Sequence, residues 1–328
     1  FLVAFVVAFL STPLAIKLAP KIGAIDAPGN LRKIHTESMP RFGGMAIFLG
    51  VMIPMFTFMT FDARIQSVIV GGIMIYALGV MDDLMDLSPK IKFIGQALCA
   101  GIMYTYNVRF EFIANLFDIG GTPVGDIITC IATILWIVGV TNTINLVDGM
   151  DGLAAGTSMI STFCIAYIAY INGMYLVAAA MLAMAGASLG FLPYNFSPAR
   201  TFMGDSGSLF LGFMMGTLSL LGPVKSATLV AVILPVIVMG MPIFDMIFAM
   251  IRRKINHKPI MEADRGHIHH RLMDMGFGQR RSVLLLYGIT AMLGIAAVLI
   301  SRGLFIESVG CFLISLAYIY VFLTDMNR

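Results

Sequence analysis

Apolar runs long enough to cross a hydrocarbon core of about 30 Å as helices recur almost from one end of this chain to the other. They cover 1–19, 43–61, 65–81, 91–106, 124–140, 153–171, 174–192, 206–221, 227–250, 282–300 and 306–323. Eleven such runs leave no room for a large soluble domain. They predict one transmembrane unit over all 328 residues, an all-α, polytopic membrane helix bundle. Composition agrees: 59% of residues are hydrophobic, 12% are charged, and the mean hydropathy is +0.92. The first run has no basic region or small-residue cleavage site before it and reads as a spanning helix rather than a signal peptide. Cys99, Cys130, Cys164 and Cys311 all fall in apolar runs without paired spacing, which suggests neither a disulfide framework nor a zinc site.

Charge orders the loops into two sets. Of the 21 Lys and Arg residues, 17 fall in alternate loops beginning with 17–41, and only Arg64, Arg109, Lys225 and Arg302 fall in the others. The basic side is cytoplasmic by the positive-inside rule, which puts the N-terminus outside and the C-terminus in the cytoplasm. All five histidines and 13 of the 18 acidic residues lie on the basic side too, although topology does not require it. The outer loops are short and bland, apart from a Gly-rich connection over 107–126 with the length for a small hairpin. The chemistry is therefore expected on the inner face.

Five inner loops carry it. "VMDDLMDLSPKIK" puts Asp82 and Asp83 at the inner membrane boundary, with Asp86 and then Lys90 and Lys92 behind them. A solvated helix end would also account for that acidic pair alone. "NTINLVDGMDGLAAG" spaces Asn145, Asp148 and Asp151 three apart, which would put an amide and two carboxylates on one face of a helix. Gly149 and Gly152 would let a ligand approach the backbone there. "FSPARTFMGDSGS" brings Asp205 to the start of an apolar run, where a carboxylate suits a hard cation. Phe202 nearby is either an interface anchor or a stacking surface for a base. "EADRGHIHHR" groups Arg265, His267, His269 and His270 without a cysteine, which suits phosphate and hydroxyl groups better than structural zinc. The first loop adds His35 and Arg41 before a Gly pair, and Asp245 lies inside an apolar run, by default a functional position.

Oxygen ligands without thiolates favour Mg²⁺ or Mn²⁺, and Mg²⁺ is commonly held by one or two carboxylates plus substrate phosphates. A site at the membrane boundary can draw one reactant from the cytoplasm and another from the lipid leaflet. The expected reaction is transfer of a phosphoryl-linked group from a soluble nucleotide to a lipid phosphate.

In this order and at these loop positions, "VMDDLMDLSPKIKFIGQ", "NTINLVDGMDGLAAG", "FMGDSGSLFLG", "PIFD" and "HIHH" resemble the polyprenyl-phosphate N-acetylhexosamine-1-phosphate transferases of glycosyltransferase family 4, over nearly the whole chain. The resemblance implies attack of an undecaprenyl phosphate oxygen on the β-phosphate of a UDP-sugar, with Mg²⁺ (Mn²⁺ as the alternative), giving lipid diphosphate-sugar and UMP. It implies Asp205 as a metal ligand, with Asn145 as a second ligand or a diphosphate contact. Asp82, Asp83, Lys92, Asp148, Asp151 and His267 are implied in catalysis, the acidic pair by orienting the lipid phosphate, the lysine and the metal. It further implies Phe202, Asn195, Gly149 and Asp151 around the nucleoside, with His35, Arg41, Arg265, His269 and His270 as substrate contacts. "HIHH" and "PRFGG" resemble the branch that uses UDP-GlcNAc and starts teichoic acid, O-antigen or related polymers. UDP-MurNAc-pentapeptide or another UDP-HexNAc is the alternative donor.

Two readings of other classes compete. An ion-coupled transporter would carry its polar groups towards the bilayer midplane, and a passive membrane anchor would leave its polar loops as solvated decoration. No nucleic acid partner is expected, and the sequence leaves a homodimer open.

Overall fold

The computed structural model describes residues 1–26, 38–59, 63–110, 117–221, 236–240 and 276–324, with side chains to 314, and isolated positions between 243 and 273. The helices are α1 (Leu2–Ile22), α2 (Gly44–Phe58), α3 (Ala63–Met85), α4 (Pro89–Thr105), α5 (Pro123–Val147), α6 (Leu153–Ile171), α7 (Tyr175–Asn195), α8 (Gly204–Leu220), α9 (Gln279–Ser301) and α10 (Phe305–Thr324). Each matches one expected span. The remaining span, 227–250, falls mostly outside the described residues. Six of the helices, α1, α3, α5, α6, α7 and α9, are long and apolar enough to cross a membrane.

Helix α5 shows the solvent for which the chain is built. Its exposed stripe is Val124, Ile127, Ile131 and Leu135, whereas Thr129, Thr133 and Thr141 face inward. Threonine is tolerated inside because its hydroxyl bonds to the preceding turn: Thr133 Oγ1 to Thr129 O at 2.6 Å and Thr141 Oγ1 to Ile137 O at 2.6 Å. Apolar side chains outside and satisfied polar groups inside suit lipid.

Helix α8 is the axis, with every residue buried. Helices α2, α3 and α5 pack on it, α1 packs on α2 and α7, and α6 joins α7 to α9. Small residues let the backbones come close. A Cβ on Gly79 of α3 would lie 2.5 Å from Ser206 Cα, so only glycine permits this crossing. One layer further in, the Phe48 and Tyr76 rings stack at 4.0 Å and Phe210 meets Phe48 edge-on at 5.3 Å, locking α2, α3 and α8.

Two residues of β1 (Ile25–Asp26) pair antiparallel with β2 (Met39–Pro40), a ladder the sequence did not announce. Of the 107–126 connection, residues 123–126 already belong to α5, the other described residues are turns, a bend and irregular chain, and 111–116 lie outside the described residues.

Candidate active site

Helix α8 begins with free amides, and Asp83, in the last turn of α3, takes two of them. The Asp205 N–H donates to Oδ1 at 2.7 Å and the Ser206 N–H to Oδ2 at 2.9 Å. A buried carboxylate there satisfies donors that a helix start leaves open and lies at the positive end of the dipole. Gly204, at φ 73°, makes room, since a Cβ would sit 2.6 Å from Asp83 Oδ2.

Asp82 faces the other way. Its Oδ1 accepts from the Leu87 N–H at 2.8 Å and its Oδ2 from Lys92 Nζ at 2.8 Å. The first bond closes the turn into α4, which Ser88 caps and Pro89 starts. Lys92 Nζ also reaches Asp205 Oδ2 at 3.2 Å. Asp205 Oδ1 accepts from Asn145 Nδ2 at 2.9 Å and from Arg41 Nη2 at 3.1 Å, while Arg41 Nε pairs with Asp83 Oδ1 at 3.2 Å. The result is a chain of alternating charge: Asp82, Lys92, Asp205, Arg41, Asp83. Its members come from the ends of α3, α4 and α8 and the residues before α2, and Asn145 joins it from the end of α5, so these ends share one end of the bundle.

Backbone pairing aims Arg41. Its N–H donates to Ala24 O at 2.9 Å, and on the opposite edge the Phe202 N–H donates to Pro40 O at 2.8 Å. The Gly43 and Gly44 amides then donate to Phe202 O at 3.0 Å and Met203 O at 2.8 Å. The same pairing fixes half-buried Phe202 beside the start of α8.

The loop after α5 builds the neighbouring wall. Asn145, Asp148 and Asp151 do not form the single helical face expected from their spacing, because α5 stops at Val147 and Asp148 is its C-cap. Asn145 stays on the last turn and points to Asp205, with its amide nitrogen also on Ser208 Oγ at 2.9 Å. Asp151 is buried in the following turn and accepts from the Ala199 N–H at 3.0 Å. Asn195 is buried as well: its oxygen accepts from the Gly152 N–H at 3.0 Å and its nitrogen donates to Thr201 O at 3.0 Å. Tyr287 of α9 donates to Gly152 O. Gly149 is exposed at the rim. Dense surroundings push the Asp148 carboxyl up to about 8, chiefly by loss of hydration; Arg41 opposes this, and Asp83 and Asp151 add to it.

His35, Arg265, His267, His269, His270 and Asp245 lie outside the described residues. Residues not singled out from sequence include Ser208 and the pair Gln96–Asn142, in which Asn142 Nδ2 donates to Gln96 Oε1 at 2.6 Å. Gln96 is one turn beyond Lys92, and a glutamine inside an apolar run was the signal for it.

The groups able to ligate a metal are all oxygens, and four carboxylates (Asp82, Asp83, Asp151, Asp205) are set against Arg41 and Lys92, with Asp148 held largely protonated, an excess of negative charge that suits a hard divalent cation. Among the described residues no three His, Cys, Asp or Glu side chains converge to hold an ion by themselves.

A family model described as glycosyl transferase family 4 matches residues 65–223. A Bacillus subtilis (strain 168) protein named "Probable undecaprenyl-phosphate N-acetylglucosaminyl 1-phosphate transferase" is 43% identical over 311 residues, covering 92% of this chain and 85% of that one. A Mycolicibacterium smegmatis decaprenyl-phosphate N-acetylglucosaminephosphotransferase is 33% identical, covering 87% of this chain and 77% of its own length. An undecaprenyl-phosphate alpha-N-acetylglucosaminyl 1-phosphate transferase of Escherichia coli K12 is 30% identical, covering 88% and 80%.

Proposed function

The chain belongs to glycosyl transferase family 4, and on that premise we propose that it transfers N-acetylglucosamine 1-phosphate from UDP-GlcNAc to undecaprenyl phosphate at the cytoplasmic face of a membrane. An oxygen of the lipid phosphate forms a bond to the β-phosphorus of the donor, the bond from that phosphorus to the UMP oxygen breaks, and UMP leaves with the electron pair. The names of the relatives support the acceptor and the sugar. The observation that carries the reading is the convergence on Asp205 of Asn145, Lys92 and Arg41, three donors from distant parts of the chain.

Mg²⁺, or Mn²⁺, fits a site whose possible ligands are all oxygens: Asp205 and the side-chain oxygen of Asn145 would hold it, with substrate phosphates. When bound, it neutralises charge on the diphosphate. The chain's own groups do the rest. Lys92 and Arg41, both part-exposed, offer N–H donors to phosphate oxygens while Asp82 and Asp83 keep them in place. Asp83 fixes the start of α8 and hence Asp205. Phe202 offers its ring to uracil, and Asp151 and Asn195 act by shaping the loop around Gly149 and Gly152. His35, Arg265, His267, His269 and His270 are assigned to the sugar and phosphates on sequence alone. Most of the lipid phosphate is dianionic near neutral pH, given a second pKa of about 6. Positioning therefore matters more than a general base.

The decisive assay incubates purified protein with UDP-GlcNAc and measures UMP. Release should require both undecaprenyl phosphate and the divalent cation, and transfer from UDP-MurNAc-pentapeptide should be absent. Asp205→Asn should lose at least about 100-fold in turnover with its fold intact, because Lys92 and Arg41 each keep a second carboxylate. Wild-type turnover in that variant would remove Asp205 from the reaction.

A further inference from the structure

Both oxygens of Asp205 are engaged by cationic side chains, Oδ1 by Arg41 and Oδ2 by Lys92. An ion bound to Oδ2 at about 2.0–2.1 Å and an ammonium on the same oxygen would repel each other, so binding has to move one cation. The two are not equally movable. Arg41 follows directly on β2 and is fixed by its own N–H on Ala24 O, by the bond of the preceding Pro40 O to the Phe202 N–H and by Asp83. Lys92 hangs on a flexible four-carbon stem, and its bond to Asp82, at 2.8 Å, is shorter than its bond to Asp205, at 3.2 Å.

We infer that Lys92 is an internal counter-ion of Asp205, which neutralises Asp205 Oδ2 when no divalent cation is bound and retreats onto Asp82 when one binds. Lys92 and the ion thus compete for one oxygen. The inference rests on the reading of Asp205 as a metal ligand and adds to it a role for Lys92 before any substrate arrives. Asp82 is the positioning residue of this exchange, because it holds the displaced ammonium beside the ion.

The test is a Mn²⁺ titration of the purified full chain, followed by electron paramagnetic resonance, with neither nucleotide nor lipid present. Lys92→Met should bind Mn²⁺ about three- to fivefold more tightly than the unsubstituted chain, as expected for loss of one part-exposed ion pair. Lys90→Met removes the same charge from an exposed position on the same helix turn, and it should change affinity by less than about twofold. Asp82→Asn takes away the second anchor of Lys92 and should weaken Mn²⁺ binding, which provides an independent arm if Lys92→Met does not fold. Unchanged or weaker binding in Lys92→Met overturns the inference, as does an equal gain in Lys90→Met or unchanged binding in Asp82→Asn. If Mn²⁺ does not bind, or binds equally well to Asp205→Asn, the metal reading of Asp205 fails first and takes this inference with it.

Discussion

Asp83 faces three donors, the amides of Asp205 and Ser206 and the Arg41 guanidinium, whereas Asp82 faces one amide and one lysine. Asparagine at 83 would turn one acceptor into a donor and press it against an N–H, at a cost of about 1–3 kcal/mol. Asparagine at 82 can still accept from Leu87, and the amide nitrogen it turns towards Lys92 meets a part-exposed ammonium that can swing away onto Asp205. Thermal melting in detergent should therefore fall further for Asp83→Asn than for Asp82→Asn, and equal melts would undo the capping role. Asp148 gives a pH-dependent prediction. Its carboxyl is raised from 3.8 to about 8 by burial, so the folded chain holds this proton more tightly than the unfolded one. That contribution to stability is complete below about 3.8 and is lost as pH rises through about 8. Asp148→Asn cannot titrate. The wild-type melting temperature should drop relative to this variant between those limits, and a flat difference would show that Asp148 titrates normally.

The contact of α3 with α8 sets where both aspartates end up. A Cβ on Gly79 would meet the Ser206 backbone at 2.5 Å, so Gly79→Ala must push the helices apart, costing about 1–3 kcal/mol. The same substitution at Gly101 of α4 meets nothing within 4 Å. Melting temperature and UMP release should both fall for Gly79→Ala and hold for Gly101→Ala; loss in both variants would trace the effect to glycine itself rather than the crossing. The spans were legible because a run of apolar residues is a property of the chain alone. The extension of α5 to Val147 was not. Asn and Thr are weak helix formers, and here side-chain bonds such as Asn142 to Val138 O (2.8 Å) and the contact of Asn145 with Asp205 carry the helix on. Nor could the sequence show that Arg41 would be the hinge of the charge chain. The strand that precedes it is two residues long, and Phe202, which bonds to Pro40 O, lies about 160 residues away, a pairing with no periodic signature. The acidic motifs could be read as meeting at one membrane face, but which acid holds which cation depends on that pairing.

The two ends of the bundle differ in kind. One gathers the charge chain. At the other, the Arg109 guanidinium lies 4.5 Å over the Tyr104 ring, Tyr104 donates to Asp126 O at 3.1 Å, and Arg302 lies 5.5 Å over the Tyr167 ring. Cations on aromatic faces at helix ends are what a membrane interface favours. The excess of basic residues in the loops on the side of the charge chain supports the proposed cytoplasmic placement of that side, where a nucleotide-sugar is available. Orientation is open to direct test in a chain whose four cysteines are replaced by serine or alanine. Lys90→Cys and Asn172→Cys each place one thiol at an exposed position, the first beside the charge chain and the second at the opposite end. A membrane-impermeant maleimide should label position 172 in spheroplasts of a bacterial host and position 90 only in inside-out vesicles. The reverse pattern would put Asp205 on the outer face, out of reach of a cytoplasmic donor, and the transfer reaction would then lack one of its two substrates.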